Sequence, residues 1–186
     1  MDDIKVIHQY LAKQAPVCFG ILYERYVGKI YAKCISILKN ETLAKDATQE
    51  IFTKIFLNLS RFEEKARFST WVYSITYNYC IDFLRRKKKQ TDLFADEPDN
   101  MPDLADEEEI ADKVLFEIEL EQLKTVLDNI PTSDRMVLLM KYQDRMSILE
   151  IADVLNKTES AIKMKIKRAK AKAQTVRTEL FSEQRI

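Results

Sequence analysis

The stretch SILEIADVLNKTESAIKMKIKRAKAK, Ser147 to Lys172, decides the fold of its half of the chain. Ser147 followed three residues later by Glu150 is a capping box, in which each side chain satisfies a backbone N–H at a helix start. A helix from Ile148 to Leu155 is therefore expected, broken at Asn156-Lys157. Thr158 then caps a second helix running to about Thr175 or beyond, with Glu159 at its positive end. Two short helices separated by about three residues make a helix-turn-helix. In the second helix Ile162, Ile166, Ala169 and Ala173 recur as an inward stripe, while Ser160, Lys163, Met164, Lys167 and Arg168 fall on the other side. Seven basic residues against one acidic lie between Lys157 and Lys172. Lysines and Arg168 supply phosphate or guanine contacts and Met164 suits a thymine methyl, so duplex DNA fits this surface better than a membrane or a helix-binding protein.

Upstream, Leu120, Leu123, Leu127 and Ile130 mark a helix that stops at Pro131. Thr132 or Ser133 is expected to cap the next, through about Tyr142. Before these lies TDLFADEPDNMPDLADEEEIAD, Thr91 to Asp112, with ten acidic residues and no basic one. The whole chain is neutral, so −10 here leaves +10 elsewhere. Two prolines, few bulky apolar residues and a block of like charge read as a flexible linker over 90–112. It joins two basic modules, residues 1–89 and 113–186.

The first module is read as three longer helices. Phe19, Leu22, Tyr26 and Ile30 place one from about Pro16 to Leu38, with Asn40 ending it or capping the turn that follows. Leu43, Ala47, Ile51, Ile55 and Leu59 place the next from about Thr42 to Leu59, and its polar side presents Asp46, Gln49, Glu50 and Thr53. As a bare pattern that side is solvated surface. In the third, Ser69 or Thr70 caps a helix through Arg86. Val72, Ile75, Tyr79 and Phe83 fall within one arc of about 80°, with Tyr73, Tyr77, Ile81 and Leu84 on the far side. Between them runs a strip of Trp71, Ser74, Asn78, Asp82 and Arg85. Trp71 and the preceding Phe68 offer surfaces on which unpaired bases stack, and Arg85 to Lys89 offers charge for phosphates. Periodicity leaves a second possibility equally open, that Trp71 folds back over the core and the basic run is a solvated helix end.

The composition agrees with an all-α chain: 186 residues, 46% apolar, 32% charged, two glycines and four prolines. No run reaches the roughly 20 apolar residues that span a bilayer, and MDDIKVIHQY lacks the pattern of a signal peptide, so a cytoplasmic protein without membrane insertion is expected. Cys18, Cys34 and Cys80 have neither disulfide-framework nor zinc spacing and read as small buried thiols. The lone His8 has no Cys or Asp partner at ligand spacing. Neither a metal, a cofactor nor an enzyme site is expected, because no phosphate loop, ligand cluster or activated nucleophile occurs in the sequence.

In order along the chain, DATQEIFTKIF (Asp46 to Phe56), FSTWVYSITYNYCIDFLRR (Phe68 to Arg86) and the segment from Ile130 to Lys172 resemble the extracytoplasmic-function (ECF) group of bacterial RNA polymerase sigma factors. The resemblance implies two small helical domains, a region 2-like bundle and a region 4-like helix-turn-helix, in a minimal two-domain form. It implies that Asp46, Gln49, Glu50 and Thr53 dock on core RNA polymerase. It assigns capture of the single-stranded minus-ten element to Arg67, Phe68, Ser69, Thr70, Trp71, Ser74, Asn78, Arg85, Arg86, Lys87 and Lys88. Reading of the double-stranded minus-thirty-five element falls to Thr158, Ser160, Lys163, Met164, Lys167 and Arg168, with the upstream helices meeting the polymerase flap. Promoter DNA, core polymerase and an anti-sigma factor are the partners implied. The alternative is a dimeric helix-turn-helix repressor or activator, which would bind palindromic duplex without polymerase.

Overall fold

The computed structural model describes residues 2–13, 15–87 and 120–181. The chain divides into two compact units, Met1–Leu93 and Phe94–Ile186. All regular structure among the described residues is helical. The acidic linker read at 90–112 lies outside them, as do Lys88 and Lys89.

The first unit comprises α1 (Asp3–Lys13), α2 (Pro16–Leu38), α3 (Glu41–Asn58), a 3-10 turn (Leu59–Arg61) and α4 (Phe68–Lys87). Pro16 begins α2, where its missing N–H costs nothing and its fixed φ suits a helix. Lys39 ends it in the left-handed conformation, φ 53°, with its N–H bonded to Ile35 O at 3.0 Å. Asn40 caps α3, its side chain accepting from Leu43 N at 2.9 Å. The core is Leu22, Tyr26, Ile30, Cys34 and Ile37 of α2 against Ala44, Ala47, Ile51 and Ile55 of α3 and Val72, Tyr77, Cys80 and Ile81 of α4. Asp3 ties α1 down: Arg25 donates to it at 2.5 Å and Tyr26 Oη at 2.6 Å. Burial, then that hydrogen bond, push the Tyr26 phenol above its ordinary range.

Three expectations for this unit change. Ala47, Ile51, Ile55 and Leu59 of the expected α3 stripe are buried, but residues every fourth place drift by about 40° per step, and Leu43 at its start falls out of line. Leu43 is only half-buried, and Ala44 and Thr48 take the inward positions there. In α4 the two apolar arcs are not on opposite sides. They flank a single buried face whose middle is the small pair Thr76 and Cys80; Tyr77 is fully buried, while Ile75, Tyr79, Phe83 and Tyr73 are half-buried. Small residues at the centre let α4 sit close against α2, where Cys80 Sγ meets Cys34 Sγ at 4.0 Å. That contact and burial hold the Cys80 thiol well above its ordinary range. Finally, neither Ser69 nor Thr70 caps α4. The helix starts earlier, at Phe68, with Trp71 N bonded to Arg67 O at 3.1 Å, because Phe68 is drawn into the core edge-on to Tyr26, 5.4 Å between ring centroids.

The second unit comprises α5 (Leu120–Asn129), α6 (Thr132–Leu138) continued by a wide π turn (Leu139–Gln143), α7 (Ile148–Leu155) and α8 (Glu159–Phe181). Pro131, not Thr132 or Ser133, occupies the cap of α6, and no side chain bonds there. Ser133, Asp134 and Arg135 in that first turn are instead buried. Both halves of the capping box form: Glu150 N to Ser147 Oγ at 3.1 Å and Ser147 N to Glu150 Oε2 at 2.7 Å. Asn156 makes the turn at φ 53°, ψ 51°, and Thr158 Oγ1 accepts from Ala161 N at 3.2 Å. The inward stripe of α8 is Ile162, Ile166, Ala169 and Ala173, packed with Val126, Met136, Met140, Met146 and Ile151 in one core.

Candidate nucleic-acid interface

In the first unit a groove of about 340 Å³ runs between α3 and α4. Lys54 and Asn58 of α3, Arg61 of the 3-10 turn, and Trp71, Ile75, Asn78, Tyr79 and Asp82 of α4 line it. Of the polar strip singled out in the sequence, it gathers Trp71, Asn78 and Asp82. Trp71 is half-buried, stacked on Phe68 at 5.6 Å and 28° and tilted against Phe62 at 5.5 Å. The indole is thus clamped by core rings while lining the groove. Phe68 itself, expected as a second stacking surface, is 3% exposed and serves as the support beneath Trp71.

The other named residues spread around this groove. Ser74 Oγ donates to Thr70 O at 2.8 Å, which bonds it to its own helix, and Thr70 is buried. Arg67 is exposed at the entry to α4, and Ser69 is half-buried behind it. At the far end Arg85 pairs with Asp82 at 3.8 Å, Arg86 Nε donates to Asp82 O at 3.2 Å, and Lys87 is exposed. The loop before α4 contributes more than its sequence indicated. Glu64 stands at φ 58°, a left-handed conformation that costs a non-glycine residue about 1–2 kcal/mol. Its carboxylate meets His8 Nε2 at 2.5 Å, and Glu63 pairs with Lys65. Both acids of the loop therefore have partners, and the histidine with no ligand role links α1 to the loop. Arg61 and Phe62 belong to the Arg61 to Phe68 loop that the sequence sets beside Trp71, whereas Lys54 and Asn58 escaped the sequence reading because they come from a segment read as α3 surface. Only Lys54 at i+4 from Glu50 and Asn58 at i+4 from Lys54, one helical row, hinted at them.

On α3, Asp46, Gln49, Glu50 and Thr53 are all exposed, opposite Ala47, Ile51 and Ile55. Exposed Phe56 and Leu57 continue this surface toward the C-terminus of the helix. Burial, then the charge of Glu50, push the phenol of Tyr79, a residue of the groove wall, upward.

In the second unit the outer side of α8 presents Ser160, Lys163, Met164 and Lys167, all exposed, with Arg168 half-buried at its edge. Thr158 is exposed at the start of the helix and is its cap. Two lysines that the sequence counts among the basic residues face the other way. Lys165 and Lys172 both meet Asp134, at 2.7 and 3.1 Å. Among the described residues no three His, Cys, Asp or Glu side chains cluster as a metal site would require.

The class of these two units is shown by what the sequence matches: the chain is a transcription protein of the sigma class. The sequence matches Sigma-70 region 2 over residues 22–90 and Sigma-70, region 4 over residues 120–172. It is 33% identical to the ECF RNA polymerase sigma factor SigW of Bacillus subtilis, over 82% of this chain and 84% of that one. Against the ECF RNA polymerase sigma-E factor of Escherichia coli K12 it is 26% identical, over 89% and 90%. The fold is similar to that of Bartonella quintana RpoE, solved in complex with the anti-sigma factor NepR: TM-score 0.60, 16% identity, 85% of this chain and 95% of that one. CnrH, solved with the cytosolic domain of CnrY, superposes with a TM-score of 0.58 at 23% identity, over 94% and 96%. The chain belongs to the ECF group of RNA polymerase sigma factors. It binds core RNA polymerase and directs promoter recognition, DNA melting and transcription initiation. Its family is not one of catalysts, and no described helix is long and apolar enough to cross a membrane.

Proposed function

We propose that the two units divide the promoter between them, with domain limits at 1–89 and 113–186. The groove of the first unit takes an unpaired base of the minus-ten element. Trp71 stacks on it or its neighbour, Asn78 hydrogen-bonds a base edge, and Arg61, Arg67, Arg85, Arg86, Lys87 and Lys88 meet the strand's phosphates. The outer side of α8 reads the minus-thirty-five element in the major groove, and the acidic face of α3 docks on core polymerase. The chain has no catalytic role of its own and works in the cytoplasm. An anti-sigma factor inhibits it, a partner suggested by the complex in which the structural neighbour RpoE was solved.

The observation that supports this most is the meeting of Trp71, Asn78 and Arg61 in one 340 Å³ groove, a volume suited to a nucleobase. Trp71→Ala tests it. The variant retains Phe68 and the core beneath, so holoenzyme assembly and duplex binding are expected to persist. Strand opening, followed by permanganate reactivity of unpaired thymines, is expected to fall at least tenfold, about the contribution of one stacked base. Wild-type reactivity would return Trp71 to a purely structural place.

A further inference from the structure

Between Glu159 and Lys172, α8 carries six basic residues. Four of them, Lys163, Lys165, Lys167 and Lys172, divide between two sides of the helix. Asp134, in the first turn of α6, is completely buried. Lys172 Nζ donates a hydrogen bond to its Oδ2 at 3.1 Å, and Lys165 Nζ lies 2.7 Å from its Oδ1. The second contact is close but lacks the angle of a directed hydrogen bond, so it is an ion pair. The two lysines are seven residues apart, two helical turns on one side of α8, and their side chains are 21% and 23% exposed. Lys163 and Lys167 are exposed on the opposite side, roughly 160° around the helix at 100° per residue.

The apolar stripe of Ile162, Ile166, Ala169 and Ala173 gives α8 its affinity for the core, but packing of small and branched residues tolerates some roll about the helix axis. Two cations two turns apart, drawn to opposite oxygens of one immobile carboxylate, do not. An ionised carboxylate this deep also requires cationic partners, so the contacts reinforce one another. Asp134 thereby does two things: it fixes which residues α8 turns outward, and it withholds two cations that would otherwise reach DNA phosphates and bind any sequence alike.

We propose that Asp134 is a positioning residue for promoter discrimination, holding Lys165 and Lys172 on the protein side of α8 so that contacts to base edges outweigh indiscriminate charge. The proposal rests on the outer side of α8 being the duplex-reading surface. It is tested in holoenzyme, on a fragment that the wild-type holoenzyme selects from genomic DNA and on a copy with the upstream half of the site scrambled, across a range of salt. Asp134→Asn is expected to lower the intact-to-scrambled affinity ratio at least tenfold. Affinity for scrambled DNA should not fall, and its logarithmic salt slope should steepen by about one to two units as the released lysines find phosphates. An unchanged ratio, or a parallel loss on both fragments without a steeper slope, overturns the proposal.

Lys172→Gln leaves Asp134 its Lys165 partner and guards against a folding defect in the first variant. It should lower the ratio part of the way with no change in salt slope, whereas a slope shallower by one unit would mean that Lys172 already contacts phosphate and would overturn the proposal. Lys163→Ala with Lys167→Ala separates the two levels of inference. If that pair leaves the ratio unchanged, the α8 reading falls and takes the Asp134 proposal with it; if it lowers the ratio and Asp134→Asn does not, only the role of Asp134 falls.

Discussion

One side of the Trp71 indole rests on Phe68, Phe62 packs tilted against it, and the indole also lines the groove. Spacing along α4 could place Trp71 on the polar strip but could not show what held it there. Phe62 belongs to a loop, and the burial of Phe68 depends on Tyr26 of α2. The same limit explains Lys165 and Lys172, whose partner Asp134 is more than thirty residues earlier in the sequence. By contrast Lys163, Met164 and Lys167 were legible as outward residues, because their side of α8 follows from the apolar stripe alone. Lys163→Ala and Lys167→Ala can each be read quantitatively. A phosphate contact is expected to make the salt slope of holoenzyme binding shallower by about one unit, uniformly over sequences. A base contact is expected to cost about 1 to 3 kcal/mol and to relax preference at one base pair. Anisotropy titrations with single-base variants of a selected promoter distinguish the two, and a variant with neither effect removes that lysine from the interface.

Elements whose signals are local were readable to the residue: α2 with Pro16 at its start, the capping box of α7, the break at Asn156 and the cap of α8 at Thr158. Elements whose orientation is set by neighbours were not. The buried face of α4 is broad because two helices, α2 and α3, pack against it, and a two-arc pattern cannot tell one wide face from two opposed ones. Polar residues at the start of α6 likewise suggested a cap, yet Ser133, Asp134 and Arg135 are buried, with α8 packed against α6 and Arg135 donating to Leu127 O of α5. Asn156 is where an element-scale prediction follows. It supplies the left-handed turn between α7 and α8, a conformation open to Asn and Gly but costly to residues with a β-carbon and no local hydrogen-bonding group. Asn156→Ala is expected to destabilise the second unit by about 1 kcal/mol, while Asn156→Gly stays within about 0.5 kcal/mol of wild type. Hydrogen exchange at the amides of Ile151 and Ile162, in the helices that the turn joins, reports this unit without interference from the first. Equal protection in the Ala and Gly variants would show that the turn carries no strain to relieve.

For the molecule as a whole, net charge is a poor guide to partners. The chain is neutral, yet ten acids are concentrated between Thr91 and Asp112, leaving +10 for the remainder, which meets DNA. Against that basic background the exposed acids of α3 are out of keeping with a nucleic-acid surface, and their place fits a protein partner instead. Asp46 and Glu50 lie one turn apart, opposite Ala47, Ile51 and Ile55, so changing them touches no core contact. Asp46→Lys combined with Glu50→Lys is therefore expected to preserve helicity and thermal stability while weakening association with core RNA polymerase at least tenfold, since reversed charges meet like charges across a docked surface. Sedimentation of the variant with core enzyme measures the association, and its circular dichroism controls for folding. The loss should be greatest at low salt, where the repulsion is least screened, and should shrink as ionic strength rises. Wild-type association at every salt concentration would exclude the α3 face from docking and shift the search to exposed Phe56 and Leu57 beside it.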